Sequence, residues 1–301
     1  MSKTTSLGRA LDVIGDQWSH LIVKEAFLGT TRFQDFQKRL GIPRQTLNVR
    51  LTGLTEAAIF YKSPIYNRRL LFEYRLTAKG LDLYPIALTV WWWHRQWYLD
   101  PKKLPENLYH KQCRQPVMPR INCRSCQEEV QIGSIDVRDI PGRKCEKVVE
   151  KLRRTRIANE LAIQGDAHLA TLLLGDAWNM LILDAAMRGI SQFHEIQNDL
   201  GISSNVLSAR LKPLVHLRLL TVSISSEDKR IKNYMLTDKS RDIYAIVLMI
   251  TSWGDRWLAG SEGPPQFFIH KPCGNYAAYQ MVCGYCNDRI AAGDISQVPW
   301  A

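Results

Sequence analysis

The sequence predicts a mainly α-helical chain with small β-hairpins, arranged as two tandem copies that each end in a short segment holding one histidine and three cysteines. Three observations predict it. The halves align without a gap at a constant shift of 160 residues: Gly15-Asp16-Gln17-Trp18 meets Gly175-Asp176-Ala177-Trp178, and Leu40-Gly41-Ile42 meets Leu200-Gly201-Ile202. Within each copy, apolar residues at helical spacing give way to two short alternating stretches. After them the spacing His-x2-Cys-x9-Cys-x2-Cys occurs twice in the same register.

The elements of copy one follow in order. Trp18, Leu21, Ile22 and Phe27 mark one helix, and Phe33, Phe36 and Leu40 a second. Gly41-Ile42-Pro43 makes a tight turn, with Pro43 suited to the first turn of a third helix that runs to about Leu54. Ile59–Ser63 and Leu71–Leu76 read as two strands around the polar tip Asn67-Arg68-Arg69. A last helix is expected from about Ala78 to Tyr98. Helix, helix, turn, helix, hairpin is the order of a winged helix-turn-helix unit. The register continues through Leu47, Arg50, Leu51 and Leu54, which match Leu207, Arg210, Leu211 and Leu214. It persists to Trp93 and Trp97, which meet Trp253 and Trp257. The expected divisions are a first winged unit over 1–100, its His/Cys segment over 101–135, a connector over 136–166, a second winged unit over 167–260 and a second segment over 261–301. Arg143–Gln164, rich in Lys, Arg, Glu, Val and Leu, reads as a helix within the connector.

A chain of 301 residues with a net charge of +11 points to a polyanionic partner. The surplus is uneven: residues 1–135 hold 20 basic and 11 acidic side chains, whereas residues 171–301 hold 12 of each. No apolar stretch is long enough to span a membrane, and the amino terminus has no secretory pattern. A cytoplasmic protein is therefore expected. Seven cysteines, six of them in the two matched groups, suit metal ligation in a reducing compartment better than disulfides; Cys145 reads as an incidental free thiol.

Several stretches resemble the HxlR family of bacterial winged helix-turn-helix regulators over residues 7–98 and 167–258: Ala10–Trp18, Arg32-Phe33, Leu47–Leu51 and Glu73–Gly80. The resemblance implies homodimers that repress or activate nearby genes and pair through terminal helices. Many members carry a redox-sensing cysteine before the first helix, where this chain has Thr5 and Gly165, so thiol sensing there is not expected. Copy two departs further, with Lys239-Ser240 in place of Lys79-Gly80.

If Leu47, Leu51 and Leu54 face the core, a step of about 100° per residue turns Gln45, Asn48, Val49 and Thr52 outward and leaves Arg44 and Arg50 on the flanks. Gln and Asn can address adenine edges, Val49 a thymine methyl group, and arginines phosphates. Thr46 belongs to the same candidate face. In copy two the set is Ser204, Asn205, Ser208, Ala209 and Lys212, with Arg210 on the flank. At the wings, Arg68 and Arg69 suit phosphates, whereas Glu227-Asp228-Lys229-Arg230 mixes signs and offers only Lys229 and Arg230. Copy one is thus expected to supply most of the electrostatic affinity for double-stranded DNA.

The candidate metal ligands are His110, Cys113, Cys123 and Cys126 in copy one and His270, Cys273, Cys283 and Cys286 in copy two. Two close pairs separated by a short loop can wrap a tetrahedral ion, so each segment is expected to close its own zinc-ribbon-like site. Four protein ligands leave no position for water, which makes the expected Zn2+ structural, with iron as an alternative. The aromatic run Trp91-Trp92-Trp93 with Trp97 reads as core or dimer contact, with an effector pocket as the alternative. No phosphate-binding loop or nucleophile elbow is present, so an enzyme is not expected. The competing function is a protein-interaction scaffold built on degenerate winged helices. Pairing within one chain and homodimerisation both remain open.

Overall fold

Asp16 and Asp176 open equivalent helices of the two copies. The Asp16 carboxylate accepts hydrogen bonds from the backbone N–H of Trp18 and Ser19, both at 3.1 Å, and Asp176 accepts from Trp178 at 3.0 Å. In the computed structural model, which describes residues 5–65, 71–97, 108–139, 173–225, 228–261, 263–264 and 266–297, copy one comprises α1 (Ser6–Ile14), α2 (Gln17–Phe27), α3 (Phe33–Leu40), α4 (Arg44–Glu56), β1 (Phe60–Pro64), β2 (Phe72–Leu76), α5 (Ala78–Leu81) and α6 (Tyr84–Trp97). Its terminal segment adds β3 (Tyr109–His110), β4 (Pro119–Cys123) and β5 (Ile135–Asp139). Copy two repeats this as α7 (Ala177–Met187), α8 (Phe193–Leu200), α9 (Ser204–His216), β6 (Leu220–Ile224), β7 (Lys232–Leu236), α10 (Asp238–Arg241) and α11 (Tyr244–Leu258), then β8 (Gln266–His270), β9 (Tyr279–Cys283) and β10 (Ile295–Ser296).

Gly41 and Gly201 end α3 and α8 in the left-handed region, at φ 61° each, which is where glycine is favoured and which starts the turn into α4 and α9. Leu47, Leu51 and Leu54 are buried under α4, as are Leu207, Leu211 and Leu214 under α9. The hairpins β1–β2 and β6–β7 are antiparallel, and the loop before α3 or α8 adds a short third strand through the bridges Arg32 with Glu73 and Gln192 with Asn233. The wing tip carrying Arg68 and Arg69 and the connector helix expected over 143–164 lie outside the described residues.

Two expectations change. The single helix from Ala78 to Tyr98 is two, α5 and α6, broken at Asp82-Leu83. Copy two breaks at Asp242-Ile243 although Ala245 stands where copy one has Pro85. Proline is therefore not the cause; burial of Leu83 (3% exposed) and Ile243 (0%) holds both kinks. Ser6–Ile14 also forms a helix, which a periodicity reading that begins at Trp18 leaves out. It packs on α11 of the other copy. The approach is so close that a Cβ added at Gly254 would lie 2.3 Å from the carbonyl oxygen of Ser6.

The copies face each other across a pseudo-twofold axis. Asp16 bridges Asp176, and in the antiparallel pair β4–β9 the central partners are Ile121 and Met281, so equivalent residues meet at both points. The long helices α6 and α11 pack together, and each donates hydrogen bonds to the short helix of the other copy, α10 or α5, and to the aspartate that follows it. Trp93 Nε1 donates to the Lys239 carbonyl at 2.7 Å and Trp253 Nε1 to the Lys79 carbonyl at 3.0 Å. Trp97 Nε1 donates to Asp242 at 2.9 Å and Trp257 Nε1 to Asp82 at 2.8 Å. Trp93 and Trp97 of the aromatic run thus serve the contact between copies.

Candidate DNA-reading faces and metal centres

Most of the residues expected to face outward on α4 and α9 are exposed. On α4, Arg44, Gln45, Asn48, Val49 and Thr52 are exposed and Thr46 is half-buried. Val49, at 59% exposure, is an apolar side chain with no core to join. On α9, Ser204, Asn205, Ser208 and Lys212 are exposed and Ala209 is half-buried.

The flanking arginines differ. Arg50 pairs with Asp16 at 3.2 Å and keeps 42% of its side chain exposed. Arg210, expected at phosphates, is instead 5% exposed and ion-paired with Asp176. Burial raises the Asp176 carboxyl above its ordinary range, against the pull of Arg210 and the backbone N–H of Trp178. A buried guanidinium committed to a carboxylate cannot reach a phosphate, and the expectation for Arg210 is corrected accordingly. On the second wing Lys229 is exposed, while Arg230 is held by Asp228 at 2.9 Å.

Sequence reasoning missed the part played by Asp16 and Asp176. Asp16 caps α2 and Asp176 caps α7; each pairs with an arginine of its copy's reading helix, α4 or α9, and meets its counterpart across the axis. One carboxylate therefore ties a candidate reading helix to the contact between copies. The signal was the repeated Gly-Asp-x-Trp.

The eight His and Cys residues gather into two groups, but across the copies. His110 and Cys113 meet Cys283 and Cys286, and His270 and Cys273 meet Cys123 and Cys126; within each group the ligand atoms lie within 4.8 Å of one another. His110 Nδ1 stands 3.4 Å from Cys113 Sγ and 3.3 Å from Cys286 Sγ, and Cys113 Sγ is 3.8 Å from Cys283 Sγ. In the second group His270 Nδ1 is 3.4 Å from Cys273 and Cys126, with Cys123 and Cys273 3.9 Å apart. Each group can hold a metal ion.

The expectation that each segment closes its own site is corrected, for a physical reason. The residues between the two cysteine turns of a segment are not a loop: Pro119–Cys123 is strand β4, extended at about 3.3 Å per residue, which carries the second turn away from the first. Antiparallel pairing with β9 then brings the second turn of one copy to the first turn of the other. The outer pairs cross as well, β5 with β8 and β3 with β10. All four turns are tight. The residue after each is left-handed, with φ of 59° at Arg114, 64° at Gln127, 69° at Gly274 and 61° at Asn287, and its N–H returns to the carbonyl of the turn's first ligand at 2.7–2.8 Å. Alternation of buried Val117, Pro119, Ile121 and Cys123 was the sequence signal for the strand.

Two helix-turn-helix units, each with a hairpin wing, define a winged helix-turn-helix protein. Residues 13–102 and 173–262 each match the HxlR-like helix-turn-helix model, together more than half of the sequence, and the chain belongs to that family. It is 37% identical over 139 residues to Mb3122, an uncharacterized HTH-type transcriptional regulator of Mycobacterium bovis, covering 46% of this chain and 88% of that protein. It is 30% identical over 97 residues to YvaP, an uncharacterized HTH-type transcriptional regulator of Bacillus subtilis, covering 32% of this chain and 89% of the relative. The crystal structure of PA1607 matches at 37% identity over 42% of this chain and 82% of that one, with a TM-score of 0.34. Most of each relative thus corresponds to less than half of this chain. Among the described residues no helix is long and apolar enough to cross a membrane.

Proposed function

We propose that this chain is a DNA-binding transcriptional regulator in which one polypeptide supplies both halves of a dimer-like reader, pinned by two structural zinc ions. The observation that carries the reading is the pseudo-twofold arrangement itself: two exposed third helices, related by the axis that the crossed strands and the paired Asp16 and Asp176 define. A twofold pair of such helices matches two half-sites spaced by about one helical turn of DNA. Gln45 and Asn48 address base edges, Val49 a methyl group, and Arg44, Thr46 and Arg50 the flanking backbone, with Arg68 and Arg69 at the wing. Copy two contributes Ser204, Asn205, Ser208, Ala209 and Lys212, with Lys229 and Arg230 at its wing. Because the two faces differ, the two half-sites differ.

Zinc suits the donor set. Bonds of about 2.3 Å to sulfur and about 2.05 Å to nitrogen give a tetrahedron with edges of about 3.8 Å between sulfurs and about 3.5 Å between sulfur and nitrogen. The thiol pairs at 3.8 and 3.9 Å and the histidine distances of 3.3–3.4 Å fall close to these edges. Three thiolates and an imidazole fill the shell, so the ion holds the copies together and offers no open position for chemistry.

The test is titration of purified protein onto double-stranded DNA from upstream of its own gene, against scrambled DNA, across a salt series. The reading expects affinity to fall steeply with salt, a preference of about a thousandfold for the native sequence, and one chain per site. Salt-sensitive binding with no preference for the upstream DNA over the scrambled DNA would contradict a sequence-specific reader. Absence of binding would favour the protein-interaction scaffold, which the evenly balanced charge of copy two also suits.

A further inference from the structure

Where the start of α6, the middle of α11 and the crossed strands meet, the surface folds into a half-open cleft of about 310 Å³. Its apolar walls include Leu81, Pro85, Met249, Trp253 and Met281, and three guanidinium groups line it: Arg124, Arg256 and Arg289. Arg256 is neutralised by Asp82, which it grips with one nitrogen 2.8 Å from each carboxylate oxygen. Among the described residues neither Arg124 nor Arg289 has a carboxylate within salt-bridge distance; Arg124 Nε donates only to the Tyr279 carbonyl, at 3.0 Å. Asp82 also lines the cleft but is engaged by Arg256 and Trp257, which leaves Arg124 and Arg289 without a paired carboxylate beside the apolar wall.

The pseudo-twofold axis supplies a control inside the same molecule. The positions equivalent to Arg124, Arg256 and Arg289 are Gly284, Gln96 and Glu129. All three arginines are absent from the mate of this cleft, although the surrounding fold is duplicated. Packing therefore does not require them. None of the residues lining the cleft comes from α4, α9 or either hairpin, so the charge is not an extension of the candidate reading faces.

We propose that this cleft binds one small organic anion per chain, a carboxylate or phosphate carried on a compact apolar body, with Arg124 and Arg289 holding the oxyanion against the apolar wall. A volume near 300 Å³ lies at the small end of ligand pockets, and guanidinium groups match planar oxyanions in two-point contacts. The cleft joins α5 and α6 of one copy to α11 and β9 of the other, so an occupant touches both halves of the pseudo-dimer. Binding stands independently of DNA reading and is measured without DNA.

The experiment is calorimetric titration of the metal-loaded full chain with benzoate, phenyl phosphate and inorganic phosphate, repeated on Arg124→Gln/Arg289→Gln and on the mate-side variant Glu129→Gln. We expect saturable one-to-one binding of at least one aromatic probe, a loss of about tenfold or more in the double variant, unchanged affinity in Glu129→Gln, and equal metal content in all three proteins. Benzoate above phenyl phosphate identifies a carboxylate site, and the reverse order a phosphate site. No saturable binding up to about 10 mM, or equal binding by the double variant, overturns the proposal. So does a double variant that keeps the probe and loses DNA, which would make the arginines a backbone contact.

Discussion

Copy one keeps Arg50 half exposed beside Asp16, whereas copy two buries the equivalent Arg210 against Asp176. The same motif thus serves two ends. The two cap carboxylates are equally exposed, but in copy one the arginine stays near solvent, next to an exposed face rich in Arg, Gln and Asn. In copy two the arginine has become part of the interior, and the face beside it is small and nearly neutral. The wings diverge in the same direction, since Arg68-Arg69 stands where Asp228-Lys229 now does and Arg230 is held by Asp228. Duplication kept the fold and let the chemistry of the two halves separate.

The largest expected difference between the copies is in stability. Asp176→Ala leaves Arg210 charged and buried and should cost about 3 kcal/mol or more in denaturant unfolding, whereas Asp16→Ala loses a cap and a half-exposed pair and should cost about 1–2 kcal/mol. Equal losses would mean that the two pairs are equivalent after all. Next comes affinity: Arg68→Glu with Arg69→Glu should weaken DNA binding about thirtyfold or more, and Lys229→Glu with Arg230→Glu less than about fivefold, read by fluorescence anisotropy at fixed salt. Comparable losses would show that both wings carry the charge.

The smallest effect concerns Asp255 of α11, whose equivalent in copy one is Arg95. Burial pushes the Asp255 carboxyl up to about 6, against hydrogen bonding from Ser6 and the charge of Arg9. With its folded pKa above the unfolded value of 3.8, the native state holds the extra proton, so this group makes stability fall as pH rises from about 4 to about 6. Asp255→Asn should therefore be more stable than the parent at pH 7–8 by about 1–2 kcal/mol, with the gain vanishing below about pH 4. A gain that is independent of pH would place its origin elsewhere.

Much of this architecture was legible because it is local. Leu47, Leu51 and Leu54 set the face of α4, Gly41 its turn, and alternation around Tyr74 the wing. The metal ligands were legible as residue types for the same reason. Their partners were not, since spacing along one segment says nothing of which segment lies beside it, and a strand of five residues between the turns sends them apart. Burial of Arg210 escaped for a related cause: a helical step places it on a flank, and only the neighbouring helix cap decides whether that flank meets water or Asp176. Repetition at a constant shift left open whether the copies pair within one chain; the strand register answers it, because the equivalent residues Ile121 and Met281 sit opposite each other, as they do about a twofold axis.

The central claim is that each metal is shared between the copies, and pairwise removal of ligands tests it directly. Cys113→Ser with Cys286→Ser strikes one shared site, whereas Cys113→Ser with Cys126→Ser strikes both. Counting zinc per chain by native mass spectrometry should give one ion for the first variant and none for the second. One ion in the second variant and none in the first would mean that each segment closes its own site, and would contradict the crossed arrangement.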